Sequence, residues 1–155
     1  MPAEPAPHRR IRRVAPTDIP ALVDLIHDHA AYERSAPLDD DLDSRLLALL
    51  FGDAPRLHAF VADQGTRLVG FTTASFEVST WKATEYLHMD CLYVDESARG
   101  GGIGRLLMQQ LRELAASRGV SELQWQTPDW NVDAIRFYDR TGAERRQKSR
   151  YALGS

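Results

Sequence analysis

A run of three glycines, Gly100–Gly102, is the sequence feature that most limits how this chain folds. The segment before it, 86–94 (YLHMDCLYV), is typical of a strand. The segment after it has apolar residues at helical spacing and predicts a helix from about 102 to 118, which Gly119 ends. Residues 120–127 predict a further strand. Strands joined by a crossover helix run parallel, so the glycine run belongs to a βαβ unit.

The rest of the chain predicts the other elements of an α/β domain with a mixed (α+β) sheet. A polar cap at Thr17 predicts the start of the first helix. The predicted elements are a strand at 9–16, helices at 17–33, 39–51 and 131–140, a hairpin formed by 57–63 and 67–78, and a last strand at 144–153. Residues 1–8, rich in Pro and Ala, predict a flexible N-terminus, and 9–155 predict a single domain.

Composition excludes several classes of protein. The net charge of −3 gives no general attraction to nucleic acid. Cys91 is the only cysteine, so no internal disulfide forms. No apolar run approaches the roughly 20 residues of a membrane span, and no His, Cys and Asp cluster has the spacing of metal ligands. We therefore expect a cytoplasmic protein with no metal, nucleic acid or membrane partner.

The glycine run has the properties of a phosphate-binding turn. Glycine adopts positive φ without penalty, and a helix N-terminus offers unpaired N–H donors and a partial positive charge. A P-loop would need a nearby lysine, which is absent. A dinucleotide fingerprint would need a third Gly or Ala where Arg105 or Leu107 stands. The sequence thus predicts a different nucleotide-bearing ligand. The alternative is a tight turn that needs glycine only for its geometry.

The segment RGGGIG (99–104) resembles the R/Q-x-x-G-x-G/A signature of the GNAT superfamily of N-acetyltransferases. The resemblance extends from about residue 10 to the end of the chain. The segments AYE (31–33), LFGDAP (50–55), LYV (92–94) and DWNVDAIRFYDRTGA (129–143) are similar, in order and spacing, to the diamine (spermidine/spermine-type) acetyltransferase branch. The resemblance implies the GNAT fold, in which a mostly antiparallel sheet has a parallel pair that splays to hold acetyl-CoA, with helices on both faces.

The resemblance also implies how acetyl-CoA is bound. The backbone of Leu92–Val94 pairs with the pantetheine arm, the turn wraps the diphosphate, and the start of the next helix lies along the coenzyme. The implied coenzyme-binding residues are Leu92, Tyr93, Val94, Arg99, Gly100, Gly101, Gly102, Ile103, Gly104, Asn131, Ala134 and Arg140.

The acceptor implied by the resemblance is a small primary amine, such as a polyamine or a diamine-like amino acid. Trp81 is either part of an acceptor wall or a structural anchor. The substrate-side residues are Tyr32, Glu33, Asp90, Trp81, Gln124, Trp125 and Gln126. The chain departs from the branch at Asp90-Cys91, where a Glu-Asp pair is usual. This departure changes the reach and charge of the acceptor side, so the resemblance does not identify the amine.

The chemistry of acetyl transfer assigns roles to a few groups. Tyr138 matches the general acid of the family, because a phenol can protonate a departing thiolate. A bulge in the strand 86–94 would free a backbone N–H near Leu92 to bind the oxyanion. His88, Asp90, Glu33 or a water molecule takes the proton of the amine. Cys91 is a core residue rather than a nucleophile.

The sequence therefore predicts direct attack by a small amine on acetyl-CoA in a ternary complex. Two alternatives are a protein or peptide N-acetyltransferase, which needs an open peptide groove, and a non-catalytic sensor of acetyl-CoA. The resemblance favours a homodimer.

Overall fold

The computed structural model describes residues 9–154, and its strands form a five-stranded mixed sheet. The sheet order follows the chain, and every neighbouring pair is antiparallel except the last, β4 with β5. The strands are β1 (Arg10–Arg13), β2 (His58–Asp63), β3 (Leu68–Ser79), β4 (Thr84–Val94) and β5 (Leu123–Gln124). The mixed sheet, the hairpin and the parallel pair expected from the sequence are confirmed.

The helices are α1 (Ile19–Tyr32), α2 (Leu42–Phe51), α3 (Ile103–Ser117) and α4 (Val132–Asp139). Short 3-10 helices at Pro16–Asp18 and Glu96–Ala98 precede α1 and α3. The chain divides into two compact units between Trp125 and Gln126, so α4 belongs to the C-terminal unit. The predicted flexible segment 1–8 lies outside the described residues.

Helices cover both faces of the sheet in the N-terminal unit. On one face, α1 and α2 enclose an apolar core with Val61, Phe71 and Tyr93. On the other face, α3 begins against β3. A Cβ placed on Gly70 of β3 would lie 3.5 Å from Cγ2 of Ile103, the first residue of α3, and 3.0 Å from the Tyr93 carbonyl oxygen. The contact with Ile103 is of ordinary van der Waals length, and the tight contact is the one with the Tyr93 carbonyl of the neighbouring strand.

The start of the first helix differs from the expectation. Thr17 does not cap it but lies inside the 3-10 helix that leads into α1. The carboxylate of Asp18 accepts a hydrogen bond from the Ala15 N–H at 2.7 Å and pairs with Arg12 at 2.7 Å. Arg12 also pairs with Asp63 at 3.1 Å, so its guanidinium has two carboxylate partners. The bidentate hydrogen bonds from Arg12 hold the pKa of Asp18 below its usual range.

The last predicted strand, 144–153, is wrong, because these residues form neither a helix nor a strand. A strand exists only through its ladder, and every residue from 144 to 154 is exposed, with no face buried against a neighbour. The predicted strand 120–127 is reduced to the two residues of β5.

Candidate functional site

Strand β4 carries a one-residue bulge at Asp90. Cys91 pairs with Thr73 and Met89 pairs with Ala74, so Asp90 has no opposite residue on β3. Beside the bulge, the hydroxyl of Thr72 donates to the Cys91 carbonyl oxygen at 2.8 Å. The sequence made a bulge in this strand the condition for freeing a backbone donor near Leu92 but did not predict one, and the irregularity lies two residues before Leu92.

The bulge reverses the alternation of side chains in the second half of β4, so that residues expected on one face of the sheet lie on the other. Leu87 and Met89 are buried opposite Phe76 and Ala74, which share the α3 face with Gly70 by the two-residue period of β3. Beyond Asp90, Cys91 and Tyr93 instead pack in the α1 core. A regular strand would have placed all four side chains on one face.

The parallel neighbour of β4 ends before the bulge. Residues Leu87 and His88 pair with Leu123 and Gln124, and no further described pair continues this ladder. Within residues 9–154, therefore, β4 from Met89 to Val94 has a paired edge toward β3 and an edge without a strand on the other side. Backbone groups on such an edge are available to an extended ligand.

Two histidine–carboxylate pairs lie near this edge. His88 Nε2 is 3.9 Å from Asp90 Oδ1, and the Asp90 side chain is 65% exposed. On α1, His29 Nε2 is 3.3 Å from Glu33 Oε1. The sequence offered His88, Asp90 and Glu33 as alternative bases, and the structure brings the first two together.

Arg99 connects predicted coenzyme-side and substrate-side residues. Its Nε donates to the Val94 carbonyl oxygen at 2.8 Å. Its guanidinium carbon lies 5.0 Å from the ring centroid of Tyr32 and 5.7 Å from that of Tyr93. His29 stacks on Tyr93 with centroids 5.4 Å apart, and together these contacts hold the end of α1 to the end of β4.

The glycine turn has the backbone that an anion site requires. Gly100 and Gly102 have φ values of 84° and 79°, which other residues rarely adopt. Gly102 is the N-cap of α3, and no side chain of residues 9–154 caps the first N–H groups of that helix. Sequence reasoning missed Arg9, whose Nη1 donates to the Gly101 carbonyl oxygen at 2.6 Å. No local signal marks this contact, since 92 residues separate the partners.

The residues predicted in the C-terminal unit lie on α4 and at its ends. Asn131, which is 5% exposed, caps the helix by accepting from the Ala134 N–H at 3.3 Å. Tyr138 lies in the last turn, where its ring is 5.3 Å from that of Phe137 and its carbonyl oxygen accepts from the Thr141 hydroxyl. Arg140 follows as the C-cap.

Of the remaining predicted residues, Trp81, Gln124 and Gln126 are exposed and Trp125 is half-buried. Trp81, in the turn between β3 and β4, is 99% exposed, which excludes the structural anchor that the sequence left open. Gln124 donates to Glu122 at 3.0 Å, and Trp125 and Gln126 follow it where the two units meet in sequence. Among residues 9–154, no three His, Cys, Asp or Glu side chains are grouped to hold a metal, and no helix is long and apolar enough to cross a membrane.

This fold, with a bulged strand that leads into a glycine turn and a helix, defines an acetyltransferase of the GNAT type. The profile of the Acetyltransferase (GNAT) family matches residues 21–143. The chain therefore belongs to this family, whose members use acetyl-CoA as co-substrate.

Known relatives and structures agree with this assignment. The chain is 32% identical to a thialysine N-epsilon-acetyltransferase of Caenorhabditis elegans, over 81% of this chain and 77% of that protein. It is 26% identical to an L-ornithine N5-acetyltransferase of Arabidopsis thaliana, over 90% of this chain and 82% of that protein. An aminoglycoside acetyltransferase from an uncultured soil metagenomic sample, solved in complex with sisomicin, has the same fold with a TM-score of 0.80. Its sequence identity is 22%, and the superposition covers 95% of this chain and 97% of that one.

The environment of Cys91 predicts an unreactive thiol. Burial and the neighbouring carboxylate of Asp90 raise the pKa of Cys91 to about 12. Since the thiolate is the reactive form, we expect alkylation by iodoacetamide to keep rising about tenfold per pH unit from pH 8 to pH 10. The urea-unfolded chain should level off near its ordinary thiol pKa of about 8.5. Poor reagent access would lower the folded rate without moving this inflection, so a folded-state inflection below pH 9 would contradict the assignment.

Proposed function

We propose that this chain transfers the acetyl group of acetyl-CoA to a primary amine of a small molecule. The observation that carries the proposal is the outer edge of β4 from Met89 to Val94. No strand of the described part of the chain pairs with this edge, and it leads within a few residues into the glycine turn. Family membership and the small-amine activities named for the thialysine and ornithine relatives support it.

The described residues fit acetyl-CoA, which supplies the acetyl thioester. An extended arm pairs with the backbone of Leu92–Val94 in the manner of an added strand. The positive φ of Gly100 and Gly102 and the uncapped start of α3 suit a diphosphate. Asn131, Ala134 and Arg140 are the proposed contacts from the C-terminal unit, and Ile103 and Gly104 complete the turn.

The acceptor side favours a cationic amine. Asp90 is mostly exposed at the bulge, and Glu33 lies at the end of α1 beside Tyr32. Carboxylates at a site attract an ammonium group and hold the amine in position. A polyamine or a diamine-like amino acid has a second cation for this purpose, which agrees with the substrates in the names of the relatives.

The proton transfers can be assigned to this chain's own groups. The amine must lose a proton to be nucleophilic, and the pair of His88 and Asp90, Glu33 or a water molecule accepts it. The phenol of Tyr138 donates a proton to the departing sulfur. A backbone N–H near Leu92 binds the carbonyl oxygen as charge develops on it. Cys91, with its raised pKa, has no part in the transfer.

The domain, assembly and location complete the proposal. The family match crosses from the first compact unit into the second, which supports one N-acetyltransferase domain over residues 9–155.

We propose a homodimer in the cytoplasm with no nucleic acid partner. Light scattering coupled to size exclusion tests the dimer, since a monomer mass at micromolar concentration would contradict it.

A panel of acceptors tests the activity directly. We expect release of coenzyme A thiol from acetyl-CoA with thialysine, ornithine or spermidine, and little release with an amine-blocked analogue of each. Turnover only with peptides would favour the protein acetyltransferase. Binding of acetyl-CoA without turnover of any amine or peptide would favour a sensor.

A pair of glycine variants tests the turn. Gly102→Ala and Gly119→Ala both place a Cβ at positive φ, 79° and 74°, with no heavy atom nearer than 4.0 Å. Each should lose about 1 kcal/mol of unfolding free energy. Only Gly102→Ala should weaken coenzyme A binding, because Gly119 lies at the opposite end of α3. Equal coenzyme affinity in the two variants, measured by calorimetry, would remove the turn from the site.

Replacing Tyr138 tests the proton donor. We expect Tyr138→Phe to lower kcat by about a hundredfold or more, the usual contribution of a general acid, while coenzyme A binds as before. Tyr151→Phe makes the same chemical change on a 91% exposed residue of the same unit and should leave kcat unchanged. Full activity of Tyr138→Phe would exclude this phenol from the mechanism.

A further inference from the structure

Arg9 is seated against the glycine turn. Its Nη1 donates to the Gly101 carbonyl oxygen, and a Cβ on Gly101 would lie 2.7 Å from Nη1 and 2.8 Å from Nη2. Gly101 does not have positive φ, so its backbone conformation alone does not require glycine. The guanidinium occupies the space that any other side chain at this position would fill. Arg9 and Gly101 therefore form one packed unit.

Arg9 brings a charge that no carboxylate of the described residues neutralises. Within residues 9–154, Arg9 makes no ion pair, in contrast to Arg12, which pairs with Asp18 and Asp63. Arg105 likewise has no ion-pair partner there, and its Nη2 is 4.0 Å from the Cβ position of Gly102. Two guanidiniums thus flank the uncapped start of α3 in a chain whose net charge is −3. Such a local excess of positive charge favours a polyanion.

We infer that Arg9 binds a phosphate group of the coenzyme and is part of the coenzyme site, an inference that rests on the proposed function. A guanidinium has five N–H donors, and the contact with Gly101 uses one of them. That hydrogen bond holds the guanidinium of Arg9 beside the turn before any ligand binds. The remaining donors suit phosphate oxygens, which Arg binds in a bidentate manner. The phosphate is either in the diphosphate or at the 3′ position of the ribose.

Calorimetric binding of coenzyme A to Arg9→Gln tests the inference. We expect affinity to fall about tenfold at low salt, the effect of losing one charge-assisted contact. The difference in coenzyme A affinity between Arg9→Gln and the unmodified protein should shrink as sodium chloride rises from about 50 to about 500 mM, because salt screens an exposed charge. Arg10→Gln is the matched control: it removes the neighbouring exposed charge, whose side chain makes no described contact with the turn.

Dephospho-coenzyme A, which lacks the 3′-phosphate, identifies the phosphate. A tenfold loss that persists with this ligand assigns Arg9 to the diphosphate, and a loss that vanishes assigns it to the 3′ group. An equal loss at low and high salt would mean that Arg9 only supports the turn, and an unchanged affinity would mean that it has no role; either result overturns the inference. If the unmodified protein fails to bind coenzyme A, the proposed function itself fails.

Discussion

The one-residue bulge at Asp90 is the feature on which the rest of the site depends. Side chains alternate along a regular strand, so Leu87, Met89, Cys91 and Tyr93 would otherwise share one face. The extra residue places the first two on the α3 face and the last two in the α1 core. One strand thereby contributes to two cores, and the unpaired residue itself, Asp90, is left exposed between them. The hydroxyl of Thr72 binds the adjacent carbonyl and supports this irregular backbone.

The ends of α1, β4 and the glycine turn are held together by one arginine. Arg99 binds the last carbonyl of β4 and lies against the rings of Tyr32 and Tyr93. Contacts of a cation with an aromatic ring contribute about 0.5–1 kcal/mol at exposed positions. The two ring contacts of Arg99 therefore constrain the positions of these elements modestly but in a defined direction. In the proposed function, the same side chain then fixes both the substrate-side helix end and the opening residue of the coenzyme turn.

Local sequence signals predicted most of the N-terminal fold. The glycine run between a strand pattern and an amphipathic pattern was enough to predict α3 and the parallel pair. Two β-rich runs separated by the short segment 64–66 predicted the hairpin of β2 and β3. The strand expected at 144–153 does not form, because none of its residues pairs with a described strand and a strand depends on such a ladder. The bulge at Asp90 could not be predicted, because no residue pattern in β4 marks it.

The contacts that sequence reasoning missed are long-range. Arg9 reaches Gly101 across 92 residues, and Arg12 is neutralised by carboxylates from two other elements. Neither pairing leaves a periodic pattern, since each depends on the register of β1 beside β2 and on the position of α3 over the sheet. The sequence predicts that Gly101 lies in a phosphate-binding turn, and in the structure its close neighbour is the guanidinium of Arg9.

The most direct test of the account is hydrogen exchange measured with and without acetyl-CoA. The central claim is that the edge of β4 after its bulge and the glycine turn together hold the coenzyme. Peptides covering residues 89–104 should then exchange more slowly when acetyl-CoA is bound, because their free N–H groups gain partners. Peptides covering β2, which β3 separates from β4, should change little. Saturating binding with no added protection at 89–104 would contradict the account.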